Sequence, residues 1–123
     1  MTTTARARRD PLLAAMSEAE LMDSLIAHAR TLGFLVFHAT DARRSEPGFP
    51  DIIAVGYGQI FAIECKTTRG KLRPASVTKR GRVMPGQAEW LAAFLDAGAA
   101  VAIARPADLD DVIAELKQGA GQP

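Results

Sequence analysis

The 123-residue sequence contains one cysteine, one tryptophan, one tyrosine and two histidines. The lone cysteine, Cys65, excludes an internal disulfide, and no Cys/His spacing suggests a zinc site. No apolar run approaches the about 20 residues needed to cross a bilayer, and no apolar segment of a secretory signal follows the basic N-terminus, MTTTARARRDP. We therefore expect an intracellular, cytoplasmic protein that has no membrane partner.

Acidic residues are missing from one long stretch of a chain whose formal net charge is only +1. That stretch carries six basic residues: Arg69, Lys71, Arg73, Lys79, Arg80 and Arg82. Arg43 and Arg44 form a further basic pair. Charge segregated in this way steers a polyanion more effectively than the net charge suggests. The alternative is a set of solvated surface loops with no binding role.

The overall composition is that of a compact soluble domain, because 48% of the residues are hydrophobic and 24% are charged. This balance excludes a disordered chain, a coiled coil and a collagen-like repeat. We expect a flexible basic arm over residues 1–14, a single domain over 15–118 and a short tail over 119–123.

Hydrophobic periodicity predicts an α/β fold with the element order α-β-β-β-α-β-α. Ser17 and Glu20 fit a capping box at the start of the first helix. Helices are predicted at 18–32, 87–97 and after Asp108, and strands at 34–37, 51–55, 59–66 and 99–104. Both faces of the third strand are largely apolar, which indicates a sheet covered on both sides. Residues 67–86 contain two prolines and three glycines and are predicted to form a long loop.

Charged residues lie at the matching ends of two predicted neighbouring strands. Asp51 begins one strand, and Glu64 and Lys66 lie near the end of the next, on the same face because they are two residues apart. The short turn between the strands predicts a hairpin that brings all three residues together. Two carboxylates and an ammonium group are costly to bury. A Mg²⁺ ion held by oxygen ligands would compensate, and a purely structural ion pair is the alternative.

This pattern resembles that of a known nuclease superfamily. Pro50-Asp51 followed by Glu64-Cys65-Lys66 matches the PD-(D/E)xK pattern of restriction-endonuclease-like nucleases. Over about residues 17–117 the chain is similar to the VRR-NUC family, especially its stand-alone phage and bacterial members. The stretches that carry the resemblance are 17–20, 38–45, 48–51, 61–66, 87–91, 97–99 and 105–106.

The resemblance implies a restriction-endonuclease-like core, with a mixed four-stranded sheet flanked by helices, and a role for each matching residue. Asp51, Glu64 and the backbone carbonyl of Cys65 would bind Mg²⁺ or Mn²⁺. Lys66 would be the catalytic lysine, and Gln87 the glutamine of the motif. The first helix of such nucleases often adds an acidic residue. Glu20 fits that role best and Glu18 is the alternative, although the capping box alone would explain Glu20.

The activity implied by the resemblance is metal-dependent DNA endonuclease cleavage, selective for branched, flap or junction DNA rather than for a base sequence. Arg43, Arg44 and the basic residues of 69–82 would contact phosphates. The stretch between Lys66 and Gln87 is longer than usual for the family. A homodimer would supply the two sites needed to cut two strands, and a nicking monomer fits equally well. A non-catalytic DNA-binding or accessory module is the alternative function.

Overall fold

A computed structural model describes residues 11–38 and 46–122 of the chain. In chain order its helices and strands are α1 Pro11–Ala14, α2 Glu18–Thr31, β1 Leu35–His38, β2 Ile52–Gly56, β3 Gln59–Cys65, β4 Ser76–Val77, β5 Val83–Met84, α3 Gln87–Asp96, β6 Ala100–Ala104 and α4 Leu109–Gly119. A 3₁₀ turn, Pro106–Asp108, precedes α4. The predicted mixed α/β class is confirmed. Residues 1–10, 39–45 and 123 lie outside the described residues, and with them most of the predicted arm and the pair Arg43 and Arg44.

The main sheet has four strands in the order β1-β2-β3-β6. β1, β2 and β3 are antiparallel neighbours, whereas β3 and β6 are parallel, so the sheet is mixed as predicted. The predicted hairpin of β2 and β3 is also confirmed, with Ile52 paired to Ile63. Continuing this register by one residue places Asp51 opposite Glu64.

Helices cover the two faces of the sheet unequally. α2 and α4 bury one face in a core that includes Leu21, Leu25 and Leu116. On the other face, Phe49 packs edge-on against Phe37 of β1 and against aromatic side chains of α3. Leu35 nevertheless remains 78% exposed and Phe37 59% exposed. The expected covering of both faces is therefore only partial, because α3 is the single helix on this side in the described residues.

Two stretches predicted to be irregular contain regular structure. Residues 11–14, expected in the flexible arm, form the one-turn helix α1. The predicted loop over 67–86 includes the β4–β5 hairpin, in which Ser76 pairs with Met84 and Val77 pairs with Val83. Strands of two residues are too short to produce a detectable alternation of hydrophobicity, which explains why the sequence pattern did not reveal them.

Asp108 is the N-cap residue of α4, but its side chain makes no hydrogen bond to that helix. Its Oδ2 instead accepts a hydrogen bond from the Arg105 backbone N–H (3.0 Å) and closes the 3₁₀ turn. In the part of the chain that the structure describes, no helix combines the length and the hydrophobicity needed to cross a membrane.

Candidate active site

The charged residues singled out in the sequence meet at one end of the central sheet. β3 and β6 are parallel and end there together, and β2 starts there beside β3. The first turn of α3 reaches the same place through Gln87, which contacts Glu64. Polar groups gathered at the carboxyl ends of parallel strands are typical of binding sites in α/β proteins.

Glu64 is the most deeply buried charged side chain of the described residues, with 1% of its surface exposed. Its Oε1 accepts a hydrogen bond from Gln87 Nε2 (2.8 Å) and lies 3.9 Å from Lys66 Nζ. Its Oε2 is buried and has no hydrogen-bond partner among the described residues. Burial, followed by the neighbouring Asp51 carboxylate, raises the pKa of Glu64 to about 9, and the charge of Lys66 opposes this rise.

Asp51 is oriented by the strand that carries Glu64. Its Oδ2 accepts a hydrogen bond from the Cys65 backbone N–H (2.8 Å). The preceding Pro50 is fully buried, and Phe49 contacts the aromatic rings of Trp90 and Phe94 on α3. The carboxylate is therefore fixed both by its backbone contact and by the packing of the segment that leads into it.

The Cys65 thiol is not expected to act as a metal ligand or nucleophile beside the charged residues. Cys65 is fully buried, and burial together with the charges of Asp51 and Glu64 raises the pKa of its thiol. A neutral thiol is a poor metal ligand and a poor nucleophile. The metal-ligand role implied for the Cys65 backbone carbonyl remains a prediction.

Gln87 connects the site to the segment before β4. Besides donating to Glu64, its side-chain Oε1 accepts from the Arg73 backbone N–H (2.5 Å), and its own N–H donates to the Arg73 carbonyl (2.9 Å). Both ends of the amide are thus used, which fixes its orientation: the NH₂ group points to Glu64.

Arg105 lies beside the site, although no sequence pattern assigned it a role. Its Nη1 donates to the carbonyls of Thr67 (2.8 Å) and Gly70 (2.6 Å), and so holds the turn that follows Lys66. The Lys66 backbone N–H itself donates to the Ala104 carbonyl (2.9 Å). The parallel pairing of β3 and β6, which places Arg105 beside Lys66, was the information missing from the sequence pattern.

The two candidate acids of α2 have different surroundings. Glu20 and Ser17 form the predicted capping box, with bonds of 3.1 and 3.3 Å. Glu18 is exposed, and its charge makes only the smallest contribution to the raised pKa values of Glu64 and Cys65. The catalytic role implied for Glu20, with Glu18 as the alternative, therefore stays a prediction.

The basic residues expected to contact DNA lie on the surface that follows β3. All six are exposed: Arg69, Lys71, Arg73, Lys79, Arg80 and Arg82. The first three lie in the segment between Lys66 and β4, and the last three lie in and beside the turn of the β4–β5 hairpin. The cationic surface thus begins directly beside the carboxylates.

The carboxylate pair fits a small divalent cation. Within residues 11–38 and 46–122 there is no group of three or more His, Cys, Asp and Glu side chains that could hold a metal. Mg²⁺, however, retains several water ligands and commonly binds proteins through one or two carboxylates. Asp51 and Glu64 supply two, and the unpartnered Oε2 of Glu64 is a buried oxygen that a cation would satisfy.

Comparison of the chain with models of known protein families and with curated proteins gave no match. The functional assignment therefore depends on the geometry of the charged cluster and on the sequence pattern.

Proposed function

We propose that this chain is a metal-dependent DNA endonuclease with a restriction-endonuclease-like core, related to the VRR-NUC nucleases. The observation that carries the proposal is the Glu64 carboxylate, which is buried beside a second carboxylate while one of its oxygens has no partner. Without a cation, burial and the neighbouring Asp51 hold the pKa of Glu64 at about 9, so the carboxyl keeps a proton at neutral pH. A divalent cation bound between the two carboxylates would replace that proton.

Asp51 and Glu64 would hold Mg²⁺ or Mn²⁺. When bound, such an ion polarises a phosphoryl oxygen and lowers the pKa of a coordinated water. Gln87 keeps Oε1 of Glu64 in a hydrogen bond, and this leaves Oε2 for the ion. The Cys65 N–H orients Asp51 in the same way through Oδ2.

Lys66 supplies the positive charge of the site. Its Nζ lies 3.9 Å from Glu64 Oε1, which is longer than a hydrogen bond and consistent with a loosely held ammonium group. In the proposed reaction it stabilises the negative charge that develops on the phosphate as the phosphodiester bond breaks. Arg105 supports this role by fixing the turn after Lys66.

The substrate proposed is DNA of a particular shape. The exposed lysine and arginine side chains of 69–82 would bind DNA phosphates. Such contacts give affinity but no specificity for a base sequence. Cutting both strands of a junction requires two sites and hence two copies of the chain. A single copy would nick one strand of a flap or duplex.

Cleavage of labelled duplex, single-stranded, flap and four-way-junction DNA tests the proposal. Wild type, Asp51→Ala and the control Glu115→Gln, which changes an exposed carboxylate of α4, are each assayed with Mn²⁺, Mg²⁺ or a chelator. We expect metal-dependent cutting by wild type and the control, and a loss of at least about 100-fold in Asp51→Ala. Salt-sensitive binding without cutting of any substrate by wild type would favour the non-catalytic DNA-binding module instead.

A further inference from the structure

The β4–β5 hairpin is an exposed, basic projection next to the candidate active site. Ser76 pairs with Met84, and Val77 pairs with Val83. Of these four residues only Met84 is half-buried, while both valines are 67% exposed. Directly paired residues lie on the same face of a hairpin, so the two valines form an outward face and Met84 lies on the face toward the protein.

The turn of this hairpin presents two cations at its tip. The Thr78 N–H donates to the Arg82 carbonyl, and the Gly81 N–H donates to the Thr78 carbonyl, both at 2.9 Å. Gly81 has a φ of +83°. This is the geometry of a three-residue hairpin loop, with a type I turn followed by a left-handed glycine. Lys79 and Arg80 occupy the two central turn positions and are exposed.

The cations of the hairpin are not paired with acidic side chains among the described residues. No side chain in the described part of the chain forms an ion pair with Lys79, Arg80 or Arg82. Cations next to an exposed pair of valines match a partner that offers both anionic and apolar groups. The major groove of DNA offers both, with phosphates along its edges and thymine methyl groups on its floor.

The base of the hairpin is connected to Glu64 through Gln87. The Arg73 backbone forms two hydrogen bonds with Gln87, which in turn donates to Glu64. Gly86 lies against the same segment so closely that an added Cβ would come within 2.6 Å of Arg73 O and Ala75 N. Nucleic acid held by the hairpin would therefore lie at a fixed position relative to the carboxylates.

We propose that the β4–β5 hairpin enters the major groove of duplex DNA beside the scissile phosphate. A two-stranded ribbon fits a groove about 12 Å wide, and the hairpin extends about 15 Å from residue 75 to its tip at the usual rise per residue. The deep, narrow major groove of duplex RNA does not admit such a ribbon. This inference rests on the proposed nuclease function in one respect: the duplex that the hairpin binds is taken to be the DNA that the site cuts.

Binding of a 30-base-pair duplex in the presence of a chelator tests the inference without requiring cleavage. The variant Lys79→Gln/Arg80→Gln is compared with Arg30→Gln/Lys117→Gln, which removes two exposed charges from helices α2 and α4. We expect the hairpin variant to lose at least about tenfold in affinity and to weaken the log–log salt slope by up to about 1.8. The control should change affinity less than about twofold. Equal losses in the two variants would overturn the inference.

A second set of measurements identifies the groove and the apolar contact. Methyl green, which occupies the major groove, should displace the wild-type protein, whereas the minor-groove ligand netropsin should not. Val77→Ser/Val83→Ser should lower affinity for duplex DNA about threefold and leave binding of single strands unchanged. Displacement by netropsin alone, or equal affinity for duplex RNA, would contradict the inference.

Hydrolysis of bis(4-nitrophenyl) phosphate with Mn²⁺ separates the two proposals, because this substrate is too small to reach the hairpin. The hairpin variant should hydrolyse it at the wild-type rate. If the variant loses duplex binding while wild type hydrolyses nothing, the nuclease assignment fails and the hairpin inference stands. If wild type cuts duplex DNA and the hairpin variant cuts and binds it equally well, the hairpin inference fails and the nuclease assignment stands.

Discussion

The two oxygens of the Glu64 carboxylate have very different surroundings. Oε1 accepts from Gln87 and lies near Lys66, whereas Oε2 is buried without a partner and the Asp51 carboxylate is its neighbour. Without a cation this arrangement is unfavourable for the charged form, which is why the pKa of Glu64 is raised to about 9. The same arrangement becomes favourable once a divalent cation is bound.

Glu64→Gln should therefore stabilise the metal-free protein at neutral and alkaline pH. Since the pKa of Glu64 rises from 4.5 to about 9 on folding, the folded state holds a proton that the unfolded state releases. The wild type then loses stability as the pH rises from about 4.5 to about 9, and the glutamine variant lacks this contribution. Thermal unfolding in a chelator at pH 5, 7 and 9 should show the advantage of the variant growing with pH. An advantage that shrinks with pH would contradict the assignment.

Gln87→Glu should impair the site while keeping its shape. A glutamate can still accept from the Arg73 N–H, but it cannot donate to Glu64, and it adds a third carboxylate. We expect at least about a tenfold loss of cleavage, because a lost hydrogen bond to a charged group costs about 1.5–3 kcal/mol. Glu89→Gln, two residues further along α3 and exposed, is the control. Unchanged cleavage by Gln87→Glu would show that the hydrogen bond from Gln87 to Glu64 does not contribute to cleavage.

For single residues, the sequence was informative where a pattern is local. Asp51, Glu64 and Lys66 follow from strand alternation and a short turn. Arg105 does not, because its position beside the site depends on how β6 pairs with β3. No spacing in the sequence encodes that pairing directly.

Among the elements, the contact between Gly86 and the segment before β4 should be the most sensitive to substitution. A Cβ at Gly86 would come within 2.6 Å of backbone atoms of Arg73, Pro74 and Ala75, so the backbone must shift. Gly86→Ala should cost about 1–3 kcal/mol in stability, as overpacking does, and should also displace Gln87. We expect cleavage to fall at least about tenfold.

Gly98→Ala is a control that separates the loss of stability in Gly86→Ala from the displacement of Gln87. Gly98 has a φ of +93° but open space around it. Its substitution should cost about 1–2 kcal/mol through backbone strain alone and leave cleavage unchanged. Unfolding curves and cleavage rates measured on both variants check this, and equal loss of cleavage in the two would show that stability alone matters.

Longer elements could be predicted well and short ones could not. The capping box at Ser17 and the apolar spacing of α2 locate that helix to within one residue. The β4–β5 hairpin was missed because its strands have two residues each. Its glycine turn, Thr78 to Gly81, was the one local signal available. The partial exposure of the sheet could not be predicted either, since strand alternation does not show how much of a face one helix covers.

For the whole molecule, the segregation of charge matters more than the net charge of +1. DNA binding should therefore fall steeply with salt although the chain is nearly neutral overall. If four phosphates are neutralised, the log–log slope is about −3.6, and affinity drops about 100-fold between about 50 and 200 mM salt. Fluorescence anisotropy with labelled duplex measures this slope. A slope near zero would show that the basic residues do not neutralise DNA phosphates.

A calorimetric titration of Mn²⁺ into the protein tests whether Asp51 and Glu64 form a divalent-cation site. We expect one bound ion per chain in wild type and in Glu115→Gln, and none at that affinity in Asp51→Ala or Glu64→Gln. No binding to wild type, or equal binding to all four proteins, would contradict this expectation.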